Sequence, residues 1–299
     1  MKLRVGTRGS ALALAQTAWV RDRWLRAGHE VEVVVLETRG DQVRDRRLHE
    51  IDKTGSQGLF TKELEEALLG GRIDAAVHSL KDLPSTLPPG CVLGAVTARE
   101  DPRDALVVVP GLDPKELPAD ARIGTSSLRR EAIWRTAYPT HEIAGVRGNL
   151  DTRLRKLGTE ADALILAAAG LHRMGQADRV TRYLHPGWMV PSPGQGALGI
   201  EVRADDGDSL AAAELLSDAT AHAACSAERA VLAACGGSCQ IPLGAYAARE
   251  DDQDIWDLYV YYAPPGRGAI SVSWRGTDLS VGVGWVVGEV TEPAEGDPA

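Results

Sequence analysis

The feature that most constrains this chain is an alternation of strand-like and helix-like segments that runs once and then starts again. Leu3–Thr7 (LRVGT) reads as a short buried strand, after which Ala11, Leu14, Ala18 and Leu25 fall on one helical stripe. Glu30–Thr38 (EVEVVVLET) is β-branched and strand-like. Phe60, Leu64, Ala67 and Leu68 form a second helical stripe closed by Gly70-Gly71, and Asp74–Leu80 (DAAVHSL) is a third strand. Strands separated by helices pair in a mostly parallel sheet with the helices laid over it. The pattern then recurs. Val5-Gly6-Thr7 is echoed by Ile123-Gly124-Thr125, and Arg39-Gly40-Asp41 by Arg147-Gly148-Asn149. Leu150, Leu154 and Leu157 supply the matching helix and Asp162–Ala169 (DALILAAA) the matching strand. Two similar α/β domains facing each other place strand ends and helix N-termini along the crevice between them, where open α/β sheets bind ligands.

The remainder reads differently. Pro191–Val202 (PSPGQGALGIEV) looks like a crossing back to the first domain, followed by an alanine-rich helical stretch from Ser209 to Ala234. WDLYVYY, AISVSW and VGWVVGEV are strand-like runs separated by Pro-Gly and Arg-Gly turns, the composition of a small α+β domain with an antiparallel sheet. With 299 residues the chain exceeds one typical domain. The expected division is residues 1–98 with 193–217, residues 99–192, and residues 218–299.

The net charge of −9 argues against a nucleic-acid protein, which shows a basic surface. Arginines nonetheless cluster in short segments between strands and helices, as suits a cleft for a small polyanion inside an otherwise acidic surface. No stretch reaches the roughly 20 apolar residues that cross a bilayer, and the start has no signal-like apolar run, so a cytoplasmic protein without a membrane partner is expected. Cys91, Cys225, Cys235 and Cys239 are too few in so long a chain for a disulfide scaffold and read as reduced thiols.

Two helix starts are suited to anions. In Thr7-Arg8-Gly9-Ser10 and Thr125-Ser126-Ser127-Leu128-Arg129-Arg130, backbone N–H groups, hydroxyls and guanidiniums converge on one helix end. Plain N-capping with solvated arginines is the other reading, although Arg147 and Arg153 in the matching later turn add weight to an anion site. Lys81-Asp82 ends a buried strand, as an acid–base pair or as a surface ion pair. His78 beside it reads equally as a hydrogen-bonded core histidine. Cys235-Gly236-Gly237-Ser238-Cys239 is a glycine-rich loop. A zinc site from His222, Cys225, Cys235 and Cys239 fits no common spacing, so no metal is expected. An accessible thiol fit for covalent attachment, or an inert buried one, remains.

Taken in order, VGTRGSALALAQ, GLFTKELEEALL, DAAVHSLKDLP, IGTSSLRR, RGNLDTRL, GQGALGIE and ERAVLAACGGSCQIPLGAYA resemble the hydroxymethylbilane synthase (porphobilinogen deaminase) family from residue 5 to residue 248. The resemblance implies two domains of the type-2 periplasmic-binding-protein kind around an active cleft, and a third domain whose Cys239 carries a dipyrromethane cofactor through a thioether. It implies a monomer that polymerises porphobilinogen. Asp82 is then the central catalytic residue, with Lys81 beside it. As porphobilinogen loses its aminomethyl nitrogen as ammonia, a carboxylate stabilises the azafulvenium cation left behind. Arg8, Ser10, Lys81, Asp82, Thr125, Ser127, Arg129, Arg130, Arg147 and Gly148 match cofactor-binding positions. Arg8, Arg147, Arg153, Arg173, Gln195 and Phe60 match substrate-binding ones. Each added pyrrole brings two more carboxylates, which is a physical reason for many arginines in an acidic protein.

The sequence departs from the family in two places. Gln57 stands where a lysine usually precedes Gly-Leu-Phe, and VGWVVGEVTEPAEGDPA lacks the usual closing helix, with Thr291–Ala299 expected to be disordered. The competing reading is a two-domain receptor that clasps a small dicarboxylate without chemistry. Such a receptor has no use for a third domain or for the Lys81-Asp82 and Cys239 segments.

Overall fold

In the computed structural model the described residues are 1–37, 61–237, 241–250 and 253–291. They form three sheets. The first contains β1 (Lys2–Arg8), β2 (Glu30–Leu36), β3 (Ala75–Ser79), β4 (Cys91–Val96) and β10 (Leu198–Arg203) in the order β2-β1-β3-β10-β4. The second contains β5 (Asp104–Val108), β6 (Arg122–Gly124), β7 (Glu142–Ala144), β8 (Ala163–Ala167) and β9 (Arg182–Tyr183) in the order β7-β6-β8-β5-β9. In both, the first three strands are parallel and the fourth runs against its neighbours. Each fourth strand, β10 or β5, directly follows a crossover between the two halves. This is the two-domain α/β architecture that the resemblance implies, and a small antiparallel sheet follows it: β11 (Leu243–Arg249), β12 (Trp256–Tyr262) and β13 (Ile270–Gly276).

The internal repeat extends to individual hydrogen bonds. Arg4 donates from its backbone N–H and Nε to Asp74 Oδ2, at 2.8 and 3.0 Å, and from Nη2 to Oδ1 at 2.6 Å. Arg122 makes the same three bonds to Asp162, at 2.9, 3.2 and 2.7 Å. Gly6 and Gly124 occupy the same place two residues further along their strands. A Cβ on Gly124 would stand 2.8 Å from Val146 and 2.9 Å from Ala161, so close packing there admits only glycine.

Helices α1 (Ala11–Arg26) and α2 (Lys62–Leu69) cover the first sheet, and α3 (Leu128–Ala137), α4 (Leu150–Arg155) and α5 (Ala168–Arg173) accompany the second. Ser10, Ser127 and Asn149 cap α1, α3 and α4 by accepting a backbone N–H from the first turn. The stripe expected on α1 is wrong. Leu14 and Leu25 are 39% and 48% exposed, while Ala13, Gln16, Thr17, Val20 and Trp24 are buried. Trp24 sets the rotation, because it has the largest apolar area to bury and its indole N–H reaches the Ala212 carbonyl at 2.7 Å. The expected strand 162–169 is also shorter, because α5 begins at Ala168.

The alanine-rich stretch is two helices, α6 (Gly207–Glu214) and α7 (Ala219–Ala234), with Asp218 capping the second. The chain end is corrected as well: VGWVVGEV is not a strand but part of a closing helix, α8 (Leu279–Thr291). Gly282, Val286 and Val290, spaced four apart, pack it onto the third sheet with Leu258, Val260 and Trp274. Thr291 ends that helix, and residues 292–299 lie outside the described residues.

Candidate active site

The site is built where the strands of both halves end. β3 runs into a single 3-10 turn, Leu80–Asp82, whose apolar member Leu80 is fully buried while Asp82 is exposed. Leu80 and Leu83 anchor the turn in a core shared with Ala197, Ala221 and Cys225. The turn is thereby pinned between the second crossover and α7. Two adjoining depressions open beside it, sharing Leu12, Gln16 and Ser79 as a common wall. One brings Arg8, Ser10, His78 and Asp82 together, and the other Lys81, Arg173 and Gln195. Gln16 Nε2 donates to Ser79 Oγ at 2.8 Å, which stiffens that wall.

From the other half come the arginines. Arg129 and Arg130, in the first turn of α3, are 4% and 5% exposed. Both donate to Asp104, Arg129 Nη1 to Oδ2 at 2.8 Å and Arg130 Nη2 to Oδ1 at 2.7 Å. Arg129 Nη1 also meets the Val190 carbonyl at 2.7 Å, so it is held in the wall of the cleft. Arg130 Nη1 meets the Ile165 carbonyl at 3.0 Å, while its Nε is buried with no hydrogen-bond partner among the described residues. Thr125 is buried and accepts the Ser127 N–H, shaping the capping turn, and Ser127 in turn caps α3. Gly148, at φ +109°, lends its carbonyl to Arg153 Nε at 2.7 Å. Arg173 Nη2 donates to the Gly196 carbonyl at 2.6 Å.

The electrostatics follow from crowding cations in a half-dry space. Burial lowers the Lys81 ammonium to about 8; Asp82 and Asp104 oppose the shift, and Arg130 and Arg129 add to it. Burial lowers Arg153 to about 10, helped by Arg130 and Arg147 and opposed by Asp82. Arg173 also falls to about 10 through burial, with Glu100 opposing. Burial pushes Asp104 up, but Arg129 and Arg130 outweigh it and hold the carboxyl well below the usual range. Asp82 thus shares its field with Lys81 from its own turn and with Arg153 from the facing half. Cations that depress one another's ionisation form a site that gains from anions.

The fit to a tetrapyrrole precursor with acetate and propionate arms is a matter of donors. Lys81 and Arg153 are the cations that could satisfy such carboxylates by charge-assisted bonds, while the Arg130 Nε is a buried donor with no partner among the described residues. Cys239 lies outside the described residues, as do Phe60 and Gln57. Gly237, two positions before Cys239, receives the Ser85 hydroxyl on its carbonyl at 3.4 Å, three positions after Asp82. Arg229 of α7 donates to the Leu83 and Pro84 carbonyls at 2.9 and 2.6 Å. The start of the cysteine loop therefore abuts the Asp82 turn. Cys225 and Cys235 sit in different apolar clusters, and burial pushes their thiols up to about 12 and about 11, which removes their nucleophilicity near neutral pH.

Sequence reasoning missed Asp104 and Gln16. A lone carboxylate at the start of an apolar strand carries no motif, and a glutamine on a helix reads as solvated. His78 is the hydrogen-bonded core histidine the sequence suggested, 2.9 Å from Glu201, and it also lines the cleft wall.

Two domain models of one family match the chain. The one described as "Porphobilinogen deaminase, dipyromethane cofactor binding domain" matches residues 3–211, and "Porphobilinogen deaminase, C-terminal domain" matches residues 222–261. Among curated relatives, the porphobilinogen deaminase of Roseiflexus castenholzii is 49% identical over 255 residues, covering 84% of this chain and 83% of that protein. That of Halalkalibacterium halodurans is 46% identical over 281 residues, covering 93% and 89%. Among solved structures, a nutrient-binding protein from Burkholderia cenocepacia bound to methionine is 14% identical with a TM-score of 0.43, covering 72% of this chain and 90% of that one. The lipoprotein Tp32 of Treponema pallidum is 13% identical with a TM-score of 0.46, covering 73% and 91%.

Proposed function

The chain belongs to the porphobilinogen deaminase family, and from that premise we infer which of its residues do the family's work. The activity is that of a transferase, hydroxymethylbilane synthase: porphobilinogen units are joined head to tail onto a dipyrromethane primer, each losing ammonia. The family membership decides for the enzyme over the dicarboxylate receptor. When bound through Cys239, a dipyrromethane supplies the free pyrrole end at which each new unit is attached.

In this reading Asp82 is the catalytic carboxylate. At each addition the C–N bond of the aminomethyl group breaks, and the electron pair leaves with ammonia. Positive charge then develops on the substrate, and an ionised carboxylate at the pyrrole N–H stabilises it before the new C–C bond forms. The same group can relay the proton that the attacked pyrrole carbon gives up. Lys81, Arg130, Arg147 and Arg153 bind carboxylate arms, each good charge-assisted bond contributing about 1.5–3 kcal/mol. Arg8 and Ser10 do the same in the depression beside Asp82, and Arg173 in the adjoining one, where Gln195 acts on the ligand through the Lys81 ammonium it holds. Arg129, Thr125, Ser127 and Gly148 shape the turns that hold these donors. The observation that carries the reading is that Asp82 shares its electrostatic field with Lys81 and Arg153 from opposite halves of one cleft.

The division into residues 1–98 with 193–217, 99–192 and 218–299 belongs to the same reading, as do the monomeric state and a cytoplasmic location. No helix among the described residues is long and apolar enough to cross a membrane.

Intact mass and ammonia release test the assignments together. Wild-type protein carries an increment of two porphobilinogens less two ammonias on the Cys239 peptide, while Cys239→Ser stays unmodified and inactive. Asp82→Ala folds but loses turnover by a factor on the order of a hundred or more. A normal holo-enzyme from Cys239→Ser removes the thioether assignment, and substantial turnover by Asp82→Ala removes Asp82 from the central role.

A further inference from the structure

We propose that Asp104 is the positioning residue of this cleft, a single buried carboxylate that spaces Arg129 and Arg130 and, through Gln195, fixes where the Lys81 ammonium stands. The proposal rests on the reading above, in which Arg130 and Lys81 meet the ligand's carboxylates.

Asp104 is fully buried at the start of β5, immediately after the first crossover. Its two oxygens accept three side-chain donors, from Arg129 at 2.8 Å, Arg130 at 2.7 Å and Gln195 Nε2 at 2.8 Å. Arg129 and Arg130 are adjacent in sequence and nearly sealed from water, so without a shared counter-ion their repulsion would drive them apart. With it, one terminal nitrogen of Arg130 stays on Asp104 and the other on the Ile165 carbonyl. The guanidinium is clamped in orientation, with its Nε left as the unsatisfied donor.

The second branch runs through an amide. Gln195 Nε2 donates to Asp104 and to the Pro102 carbonyl, each at 2.8 Å, and Gln195 Oε1 accepts Lys81 Nζ at 3.2 Å. Two acceptors on the nitrogen side fix which way the amide points. A flipped amide would set oxygen against the Asp104 carboxylate and NH2 against the Lys81 ammonium. Asp104, with the Pro102 carbonyl, therefore sets the amide so that the lysine meets an acceptor. The branch joins the start of β5, both crossovers and the turn after β3, so one carboxylate relates the cations of the two halves.

Asp104→Asn keeps the volume but loses the charge and turns one acceptor into a donor facing a donor. Holo-protein fraction by intact mass, thermal melting, and kcat and KM across pH 6 to 10 (roughly the span in which a lysine near neutral titrates) are the measurements. The folded variant shows a KM for porphobilinogen raised about tenfold or more, as when a buried donor loses its acceptor. The alkaline limb of kcat/KM also moves to lower pH. Burial lowers the Lys81 ammonium most, Asp82 and Asp104 oppose that, and Arg130 and Arg129 add to it, with the Gln195 amide oxygen facing the ammonium as an acceptor. Removing one of the two carboxylates can only move that limb down. A purely structural Asp104 would lower melting temperature and active fraction while leaving KM and the limb in place, and that result overturns the proposal.

Should Asp104→Asn not fold, Gln195→Leu leaves Asp104 with both arginines and cuts the branch to Lys81 together with the amide's bonds to Asp104 and Pro102. Its alkaline limb must then move down, and an unmoved limb overturns the proposal equally. Arg130→Leu separates the two levels. Unchanged kinetics there overturn the underlying reading of Arg130, whereas impaired Arg130→Leu beside normal Asp104→Asn overturns the role of Asp104 alone.

Discussion

His78 and Glu201 meet at 2.9 Å inside the first sheet, with side chains 5% and 0% exposed. The registers of the two sheets show what the same positions hold in the other half. Gly6 pairs with Ala76 as Gly124 pairs with Leu164, so His78 corresponds to Leu166 and Glu201 to Val107, both buried. One half fills these positions with a polar pair and the other with an apolar one on the same backbone plan. Removing one partner strands the other: His78→Leu is expected to destabilise by about 3–5 kcal/mol, leaving a buried carboxylate uncompensated. His78→Leu with Glu201→Val, which copies the second half, recovers most of that loss. Urea unfolding midpoints of the two variants check this, and a double variant as unstable as the single one rejects it. Residues such as Arg8 and Arg147 stood out in the sequence because they lie at the junction between a strand and the helix that follows, and Arg153 because it sits one turn into such a helix. Asp104 and Glu201 were not, because what makes them matter is a partner 26 or 123 residues away.

At the scale of elements, the alternation of strands and helices was legible, and so were most cores, because Leu64, Ala67 and Leu68 or Ala163–Ala167 leave only one face or one length to choose. The failures came where an apolar count replaced a volume. On α1 the expected stripe weighed Leu14 and Leu25 like any apolar residue, but burying Trp24 outweighs both. In α8 the β-branched run Val-Gly-Trp-Val-Val reads as strand, and only the sheet beneath it selects the helix. Gly282 shows how. A Cβ there would stand 2.7 Å from Trp274 Cδ2, while Gly284 and Gly288 meet nothing within 4 Å. Intrinsic helix propensity favours alanine over glycine at all three positions by about 1 kcal/mol. Overpacking reverses the sign at one of them: Gly282→Ala is expected to destabilise by about 1–3 kcal/mol, and Gly284→Ala and Gly288→Ala to stabilise slightly. Thermal melts of the three variants are the measurement. Gains at all three positions would mean that α8 is not seated on the Trp274 ring.

One carboxylate ties both crossovers to the third sheet. Glu228 of α7 is fully buried and accepts Arg99 Nη1 and Nη2 at 2.6 and 3.1 Å, the Gly194 N–H at 2.7 Å and the Ala247 N–H at 2.8 Å. Arg99 belongs to the first crossover, Gly194 to the second and Ala247 to the third sheet, and Arg99 Nε also reaches the Gln195 carbonyl at 2.8 Å. The joint therefore borders the residue that holds Lys81, and α7 carries Arg229 onto the carbonyls just after Asp82. None of this was legible in the sequence, where Arg99 and Glu228 are ordinary charges 129 positions apart. Glu228→Gln keeps the shape, leaves Arg99 buried without its counter-ion, and turns one acceptor into a donor against a backbone N–H. A cost of about 3–5 kcal/mol is expected for a buried pair broken on one side. Its distribution identifies the joint. Amide hydrogen exchange is expected to rise together at residues 194–198, in α7 and along β11, since all three lose the same acceptor. A rise confined to α7 would show Glu228 to be a local core residue, with the crossovers held by other contacts. Activity would fall in the first case even though Glu228 touches no substrate, because the loop that carries Cys239 and the turn that carries Asp82 are placed through the same helix.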